Sequence, residues 1–311
     1  MIHAENLTRY YKDLCAVDRI NFDIQKGEIM GLLGPNGAGK TTVLRMLTGY
    51  LKPTSGTIQV KEYGIDTHPL QIKKLMGYLP EAAPLYQDML VYDYLHYVAN
   101  IRELERQQKM PRVRHLADLC GLNGVMHKPI GELSKGFKQR VGLAHAMMND
   151  PEILIMDEPT SGLDPNQIVE IRQIIKEIGK EKTVILSTHI LNEAEATCDR
   201  VMIINQGKIV ADGSMDTLKQ KGRGEDLISI SLRNAEYQSV EKELCAINGV
   251  VSVAEDDGED EAMKVKVVCK STTDLREEIY MKVKATDWIL LELTRETQTL
   301  ENIFQDLTKE N

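Results

Sequence analysis

The run Gly34-Pro35-Asn36-Gly37-Ala38-Gly39-Lys40-Thr41 constrains the fold of this chain more than any other stretch. It fits the phosphate-loop pattern Gly-x4-Gly-Lys-Thr. Glu28 to Leu33 ahead of it is an apolar run that reads as a buried strand, and Thr42 to Thr48 after it reads as a helix. Strand, glycine-rich turn and helix start therefore follow in one line. Glycines let the backbone fold tightly enough for several N–H groups to point inward at a phosphate. The helix N-terminus adds partial positive charge. Lys40 has the reach to meet the terminal phosphates of a nucleotide, and the Thr41 hydroxyl is suited to ligate Mg2+.

The 311 residues suffice for one large domain or two ordinary ones. The formal net charge of −9 argues against a broad nucleic-acid or membrane-phosphate surface, because such surfaces are basic. No apolar stretch approaches the roughly 18 residues that span a bilayer. Met1-Ile2-His3-Ala4-Glu5-Asn6 shows no basic segment followed by an apolar one, so no signal peptide is expected. The cysteines at 15, 120, 198, 245 and 269 are odd in number and form no Cys-x-x-Cys pair, which suits reduced thiols of a cytoplasmic protein.

Residues 1 to about 220 alternate strand-like and helix-like segments. Residues 152–157 and 183–187 are short, apolar runs that suit a parallel sheet covered on both faces. Between them Pro165 to Gly179 reads as a helix with one stripe of Ile168, Ile171, Ile175 and Ile178. Tyr92 to Gly121 reads as purely helical. Lys221-Gly222-Arg223-Gly224-Glu225 is the candidate linker. Strand-like runs then recur at 227–232, 250–254, 263–269 and 288–293, with helical stripes Val240/Leu244/Ile247 and Leu275/Ile279/Val283 between them. The order strand-helix-strand-strand-helix-strand suits a small ferredoxin-like α+β unit. Thr299 to Leu307 reads as a final helix. The acidic run from Glu255 to Glu261 reads as a solvated hairpin loop, a metal site being the alternative.

A phosphate loop alone says only nucleotide; the rest of the site must hold Mg2+ and position water. Ile153-Leu154-Ile155-Met156-Asp157-Glu158 is an apolar strand that ends in two carboxylates. Asp157 is placed to hold Mg2+ through its water shell, and Glu158 to polarise the attacking water. Between the two halves lies Leu133-Ser134-Lys135-Gly136-Phe137-Lys138-Gln139-Arg140. Ser134 suits a helix cap and a phosphate contact equally well.

Phosphate loop, Leu-Ser-x-Gly-x-x-Gln-Arg, Asp157-Glu158-Pro159-Thr160-Ser161-Gly162-Leu163-Asp164 and Ser187-Thr188-His189 occur in that order. In this the chain resembles the nucleotide-binding subunit of ATP-binding cassette (ABC) transporters over about residues 1–220. The resemblance implies an α/β P-loop NTPase fold of the ABC ATPase type. The expected domains are an ATPase domain at 1–222, with a helical subdomain at about 82–150, and an accessory domain at 223–311. It implies Mg2+-dependent ATP hydrolysis, with ATP and Mg2+ bound. Gly34, Pro35, Asn36, Gly37, Ala38, Gly39, Lys40, Thr41 and Thr42 would meet the phosphates. Tyr11 would stack on adenine and Val17 would flank the base. Glu158 and His189 would be catalytic, with His189 at the terminal phosphate. Thr41, Asp157 and Glu81 would serve the metal. Ser134 and Gly136 would bind ATP held by the opposite subunit, and Asp164 would link the two sites.

Two departures from the family pattern stand out. Gly77-Tyr78-Leu79-Pro80-Glu81 places a glutamate where the family usually has glutamine; it keeps a hard oxygen donor but adds negative charge. The signature carries Lys135 and Phe137 where glycine and glutamine are common. Together with the stretch 299–308, these segments resemble a branch of single-cassette export subunits associated with gliding motility, drug efflux and maturation of nitrous-oxide reductase. The implied partners are a second copy or a paralogous ATPase subunit and a separate integral membrane permease, with no nucleic acid. The implied location is the cytoplasmic face of the membrane. Tyr86, Tyr92, Tyr94 and Tyr97 either pack the helical region or line the groove that receives the permease. The rival expectation is a soluble cassette ATPase acting on nucleic acid or ribosomes.

Overall fold

The computed structural model describes residues 1–222, 225–256, 262–270, 274–296 and 304. The chain divides into two compact units between Met215 and Asp216.

The first unit opens with two long antiparallel strands, β1 (Ile2–Tyr11) and β2 (Leu14–Ile24). They are followed by β3 (Ile29–Leu33), α1 (Lys40–Leu47), β4 (Ser55–Val60), β5 (Tyr63–Gly64), α2 (Pro69–Leu75) and β6 (Met76–Leu79). A helical stretch follows, with α3 (Val91–Ile101), α4 (Arg106–Leu119) and α5 (Lys135–Ala146). Next come β7 (Ile153–Met156), α6 (Pro165–Gly179), β8 (Thr183–Thr188), α7 (Leu191–Thr197), β9 (Arg200–Asn205) and β10 (Lys208–Ser214).

One sheet has the strand order β2-β1-β4-β5; the other runs β10-β9-β3-β8-β7-β6 and is parallel from β9 to β6. β3, β7 and β8 are buried along their whole length, as central parallel strands must be when both faces are covered. Val43, Leu44, Met46 and Leu47 of α1 pack into one core with Ile2, Phe22 and Ile58 of the first sheet and Met30, Ile155 and Met202 of the second. Because β3, β7 and β8 run parallel and in register, the loops leaving them emerge at one edge of the sheet. That edge is where open α/β sheets place ligand sites.

The stretch from Tyr92 to Gly121 is built of two helices, α3 and α4. The chain turns between α3 and α4, where Glu103 takes a left-handed φ of 58° and the Leu104 N–H bonds the Ala99 carbonyl. Periodicity carries no mark of such a reversal, since both arms share the helical repeat.

The second unit begins within α8 (Met215–Gly222), followed by β11 (Glu225–Arg233), α9 (Tyr237–Cys245), β12 (Val250–Asp256), β13 (Met263–Lys270), α10 (Arg276–Lys284) and β14 (Ile289–Glu296). Its sheet is fully antiparallel with order β12-β13-β11-β14, the split arrangement of a ferredoxin-like unit. Ile228, Ile230 and Leu232 pack against Val240, Leu244, Ile279 and Val283. The expected linker does not hold as written: Lys221 and Gly222 close α8, which buried Leu218 anchors, and Glu225 already starts β11. Glu255 and Asp256 of the acidic run belong to β12, with Asp256 paired to Lys266 at 2.9 Å; positions 257–261 lie outside the described residues. Among the described residues no cluster of three or more His, Cys, Asp or Glu side chains could hold a metal ion. The final helix read at Thr299 to Leu307 lies outside the described residues apart from Phe304.

Candidate active site

The turn from β3 into α1 is shaped by close backbone approach. A side chain at Gly34 would place its Cβ 2.2 Å from the Ile204 carbonyl oxygen. Gly39 caps α1 with a left-handed φ of 109°, and a Cβ there would lie 2.5 Å from the Ala16 carbonyl oxygen. Gly39 has no side chain to satisfy the first turn of α1. The N–H groups of Lys40, Thr41 and Thr42 therefore precede the first intrahelical bond, from Val43 N–H to Gly39 O at 3.0 Å. These three residues line one cleft with Asn36, Gly37 and Gly39. Unpaired amides at a positive helix end make a site for anions.

The loops leaving β7 and β8 complete the cleft. Thr41 donates to Asp157 Oδ1 at 3.2 Å, and Ser187 donates to the same oxygen at 2.6 Å. Lys40 Nζ donates to the Gly34 and Pro35 carbonyls at 2.7 and 3.2 Å and stands 3.3 Å from Glu158 Oε1. The other carboxylate oxygen, Glu158 Oε2, is 2.9 Å from His189 Nδ1. Glu158 itself takes a left-handed φ of 47°, uncommon for a residue with a Cβ. Its N–H donates to Ser187 Oγ at 2.9 Å and its carbonyl accepts the Ser161 N–H at 3.1 Å.

Tyr11 stands at the cleft rim, half exposed, with the Arg9 guanidinium 5.0 Å from its ring centroid. Val17 does not reach the cleft. It is 0% exposed, in the core and close beneath Gly39, so the alternation of β2 turns it inward. Leu14 and Ala16 line the cleft instead. Glu81 is at the cleft edge, where Ser161 donates to its Oε1 at 3.5 Å.

Gly34, Pro35, Ala38 and Asp157 lie behind the lining of this cleft, and Ser134, Gly136 and Asp164 stand away from it. Ser134 caps α5, its hydroxyl accepting the Phe137 N–H at 3.4 Å. Asp164 caps α6, accepting the Gln167 N–H at 2.9 Å. Gly136 lies against Gln167, where a Cβ would fall 2.6 Å from its amide carbon. The ends of α5 and α6 thus gather Ser134, Gly136 and Asp164 in one place. Leu14, Ala16, Ser161 and Ser187 escaped the sequence reading as site residues. Ser161 and Ser187 stand inside motifs already recognised, but only the register of β7 and β8 makes Ser187 a donor to Asp157.

A second cleft is lined by apolar Leu79, Pro80, Ala82, Ala83, Pro84 and Leu85. Arg45, Lys73 and Arg102 also border it, and no carboxylate does. Of the four tyrosines, Tyr94 is buried and bonds His145 Nδ1 at 2.7 Å. Burial, then the charge of Arg102, pushes the His145 imidazole down to about 4. Burial, then Tyr86 and Tyr97, pushes the Tyr94 phenol up to about 12. Tyr86, 54% exposed, packs edge-on to Tyr94 at 6.0 Å and does not line this cleft.

Comparison with known proteins agrees with the geometry. Residues 17–161 match the ABC transporter family. The chain is 39% identical to an uncharacterized ABC transporter ATP-binding protein, YxlF, of Bacillus subtilis, covering 71% of this chain and 73% of that protein. It is 30% identical to the linearmycin resistance ATP-binding protein LnrL of the same organism, covering 99% of this chain and 98% of that one. Among solved structures it resembles cbiO1 of Clostridium perfringens, part of the ABC transporter complex cbiONQ. The TM-score is 0.64 at 30% identity, over 71% of this chain and 93% of that one.

Proposed function

The chain belongs to the ATP-binding subunits of the ABC transporter family, and from that premise we propose that it is the Mg2+-dependent ATPase of a membrane exporter, closing with a second ATPase chain around two ATP molecules to drive a separate permease. The observation that carries this reading is the meeting of three loops in one cleft. The phosphate loop brings Lys40 and Thr41, the end of β7 brings Asp157 and Glu158, and the end of β8 brings His189.

Thr41 Oγ1 and Asp157 Oδ1 are hard oxygen donors 3.2 Å apart, a set that fits Mg2+ completed by phosphate oxygens and water. Mg2+ held there would offset the charge that develops on the phosphate oxygens. The loop amides and Lys40 hold the phosphates, and Tyr11 offers its ring to the adenine. Glu158 accepts a proton from the attacking water. His189, tied to Glu158 Oε2, orients that carboxylate and borders the terminal phosphate. Glu81 adds an oxygen at the cleft edge.

Ser134, Gly136 and Asp164 serve the ATP of the partner chain. Their position outside the chain's own cleft supports a site built from two chains. The match to LnrL over nearly the whole chain, both units included, supports export. Among the described residues no helix is long and apolar enough to cross a membrane, so the pathway itself is assigned to the permease, which holds this subunit at the inner face. The apolar cleft beside Glu81, rimmed by Arg45, Lys73 and Arg102, is the surface assigned to permease docking.

The test is co-expression with a candidate permease, an integral membrane protein. Co-purification with that membrane protein, with a hydrolysis rate that changes in its presence, is expected. Co-purification with ribosomes or DNA, with hydrolysis stimulated by nucleic acid, overturns the reading.

A further inference from the structure

Glu193 is a carboxylate without a surface. It lies in the first turn of α7 and is 8% exposed, a costly place for a charge unless hydrogen bonds satisfy it. Its Oε2 accepts two hydroxyl donors, Thr160 Oγ1 at 2.5 Å and Thr188 Oγ1 at 3.2 Å. Thr160 stands two residues after Glu158 on the loop leaving β7, and Thr188 is the residue before His189 at the end of β8. The Thr188 hydroxyl also accepts the Ile190 N–H at 3.1 Å, which closes a turn around His189. A continuous chain of hydrogen bonds therefore joins the turn holding His189 to the loop holding Glu158. It ends on either side of their 2.9 Å contact.

The backbone explains why such a tie is needed. A left-handed conformation at a residue with a Cβ such as Glu158 is strained and persists only where its surroundings over-determine it. Ser187 holds Glu158 on the strand side; Thr160, through Glu193, holds the loop on the other.

We propose that Glu193 is a positioning residue for ATP hydrolysis: one buried carboxylate oxygen ties the Thr160 loop to the Thr188 turn and so sets Glu158 against His189. This rests on the hydrolytic roles given above to Glu158 and His189.

The experiment measures kcat and KM for ATP, ADP affinity and thermal midpoint for Glu193→Ala, Glu193→Gln, Thr160→Val, Thr188→Val and the double threonine variant, with Glu158→Gln alongside. Glu193→Ala should lower kcat about tenfold to a hundredfold, as small misplacements of catalytic groups do. KM and ADP affinity should stay within about threefold, the mark of an interaction felt in the transition state. Glu193→Gln keeps an acceptor oxygen and should stay within about threefold of the parent in kcat. Each threonine variant should lower kcat in the parent and lower it no further in the Glu193→Ala background, because all act through one oxygen. Parental kcat in Glu193→Ala overturns the proposal. So does equal loss in the alanine and glutamine variants. Should Glu193→Ala fail to fold, the double threonine variant decides, and parental kcat there overturns the proposal. Parental turnover in Glu158→Gln instead overturns the role of Glu158. An inactive Glu158→Gln beside a fully active Glu193→Ala removes the positioning role alone.

Discussion

Lys40 Nζ lies 3.3 Å from Glu158 Oε1, with both side chains almost closed to solvent. The cation of the phosphate loop and the carboxylate of the β7 loop thus neutralise each other inside the cleft, while His189 holds the second carboxylate oxygen. Glu158→Gln removes that negative charge and leaves Lys40 free for phosphate. Turnover should fall by about 100-fold or more, the usual reach of a general base, and ATP should bind more tightly than to the parent. Single-turnover hydrolysis and calorimetric titration read the two effects; weaker binding together with parental turnover would count against the assignment.

Lys40→Ala acts in the opposite direction on affinity. It removes the cation facing the phosphates and leaves the Glu158 carboxylate without its 3.3 Å partner in a cleft that must accept an anion. ATP affinity and turnover should fall together. Calorimetry with the non-hydrolysing Glu158→Gln/Lys40→Ala double variant separates the terms, since the neutral amide removes the repulsion and should recover part of the lost affinity.

Ser134 lies outside its own chain's cleft and caps α5. Mixing a Ser134→Arg chain with a Lys40→Ala chain should give heterodimers with one intact composite site, and so partial ATPase activity absent from either variant alone. Equal rates in the mixture and the single variants, with heterodimers confirmed by mass, would mean that each site is built within one chain.

His145 makes a pH prediction. Its imidazole stays neutral down to about 4 in the fold, against about 6.5 when unfolded, so the unfolded chain binds the extra proton first. Stability is unaffected by this group above about pH 6.5 and falls as pH drops from there toward 4, by roughly 3 kcal/mol in all at a largely buried site. Denaturant midpoints across that range should decline with falling pH, and His145→Gln should flatten the decline. An unchanged slope in that variant would assign the acid sensitivity to other groups.

The groove beside Glu81 carries Arg45, Lys73 and Arg102 with no lining carboxylate, in a chain of net charge −9. Lys73→Glu/Arg102→Glu should weaken permease association and transport while leaving the ATPase rate of the isolated subunit within about twofold. Tyr86→Ala, lying outside the groove, should affect association less than that pair. ATPase of the soluble subunit, then transport in membranes with the permease, measures both.

Much of this molecule was legible because its signals are local. The phosphate loop, the acidic pair after β7 and the Ser-Thr-His after β8 are written in consecutive residues, and strand and helix periods bounded most elements. Even the antiparallel second unit followed from the order of its segments. The turn at Glu103 and the end of α8 were not legible, because a helical repeat continues across one and a polar, glycine-containing stretch masks the other.

What the sequence by itself determined is the chemistry available: a cation, a hydroxyl, two carboxylates and an imidazole in known order. Tertiary structure decided which of them meet. Parallel register of β7 and β8 brought Ser187 onto Asp157 and His189 onto Glu158. The alternation of antiparallel β2 buried Val17, for which the sequence predicts a base contact, and capping of α5 and α6 placed Ser134 and Asp164 outside their own cleft. Glu193 shows the reason most plainly. A glutamate in a helical turn reads as solvent-facing, and only the packing of α7 against two strand ends turns it into a buried acceptor for Thr160 and Thr188. Hydrogen bonds between side chains 5 and 33 residues apart depend on distances that no local pattern encodes.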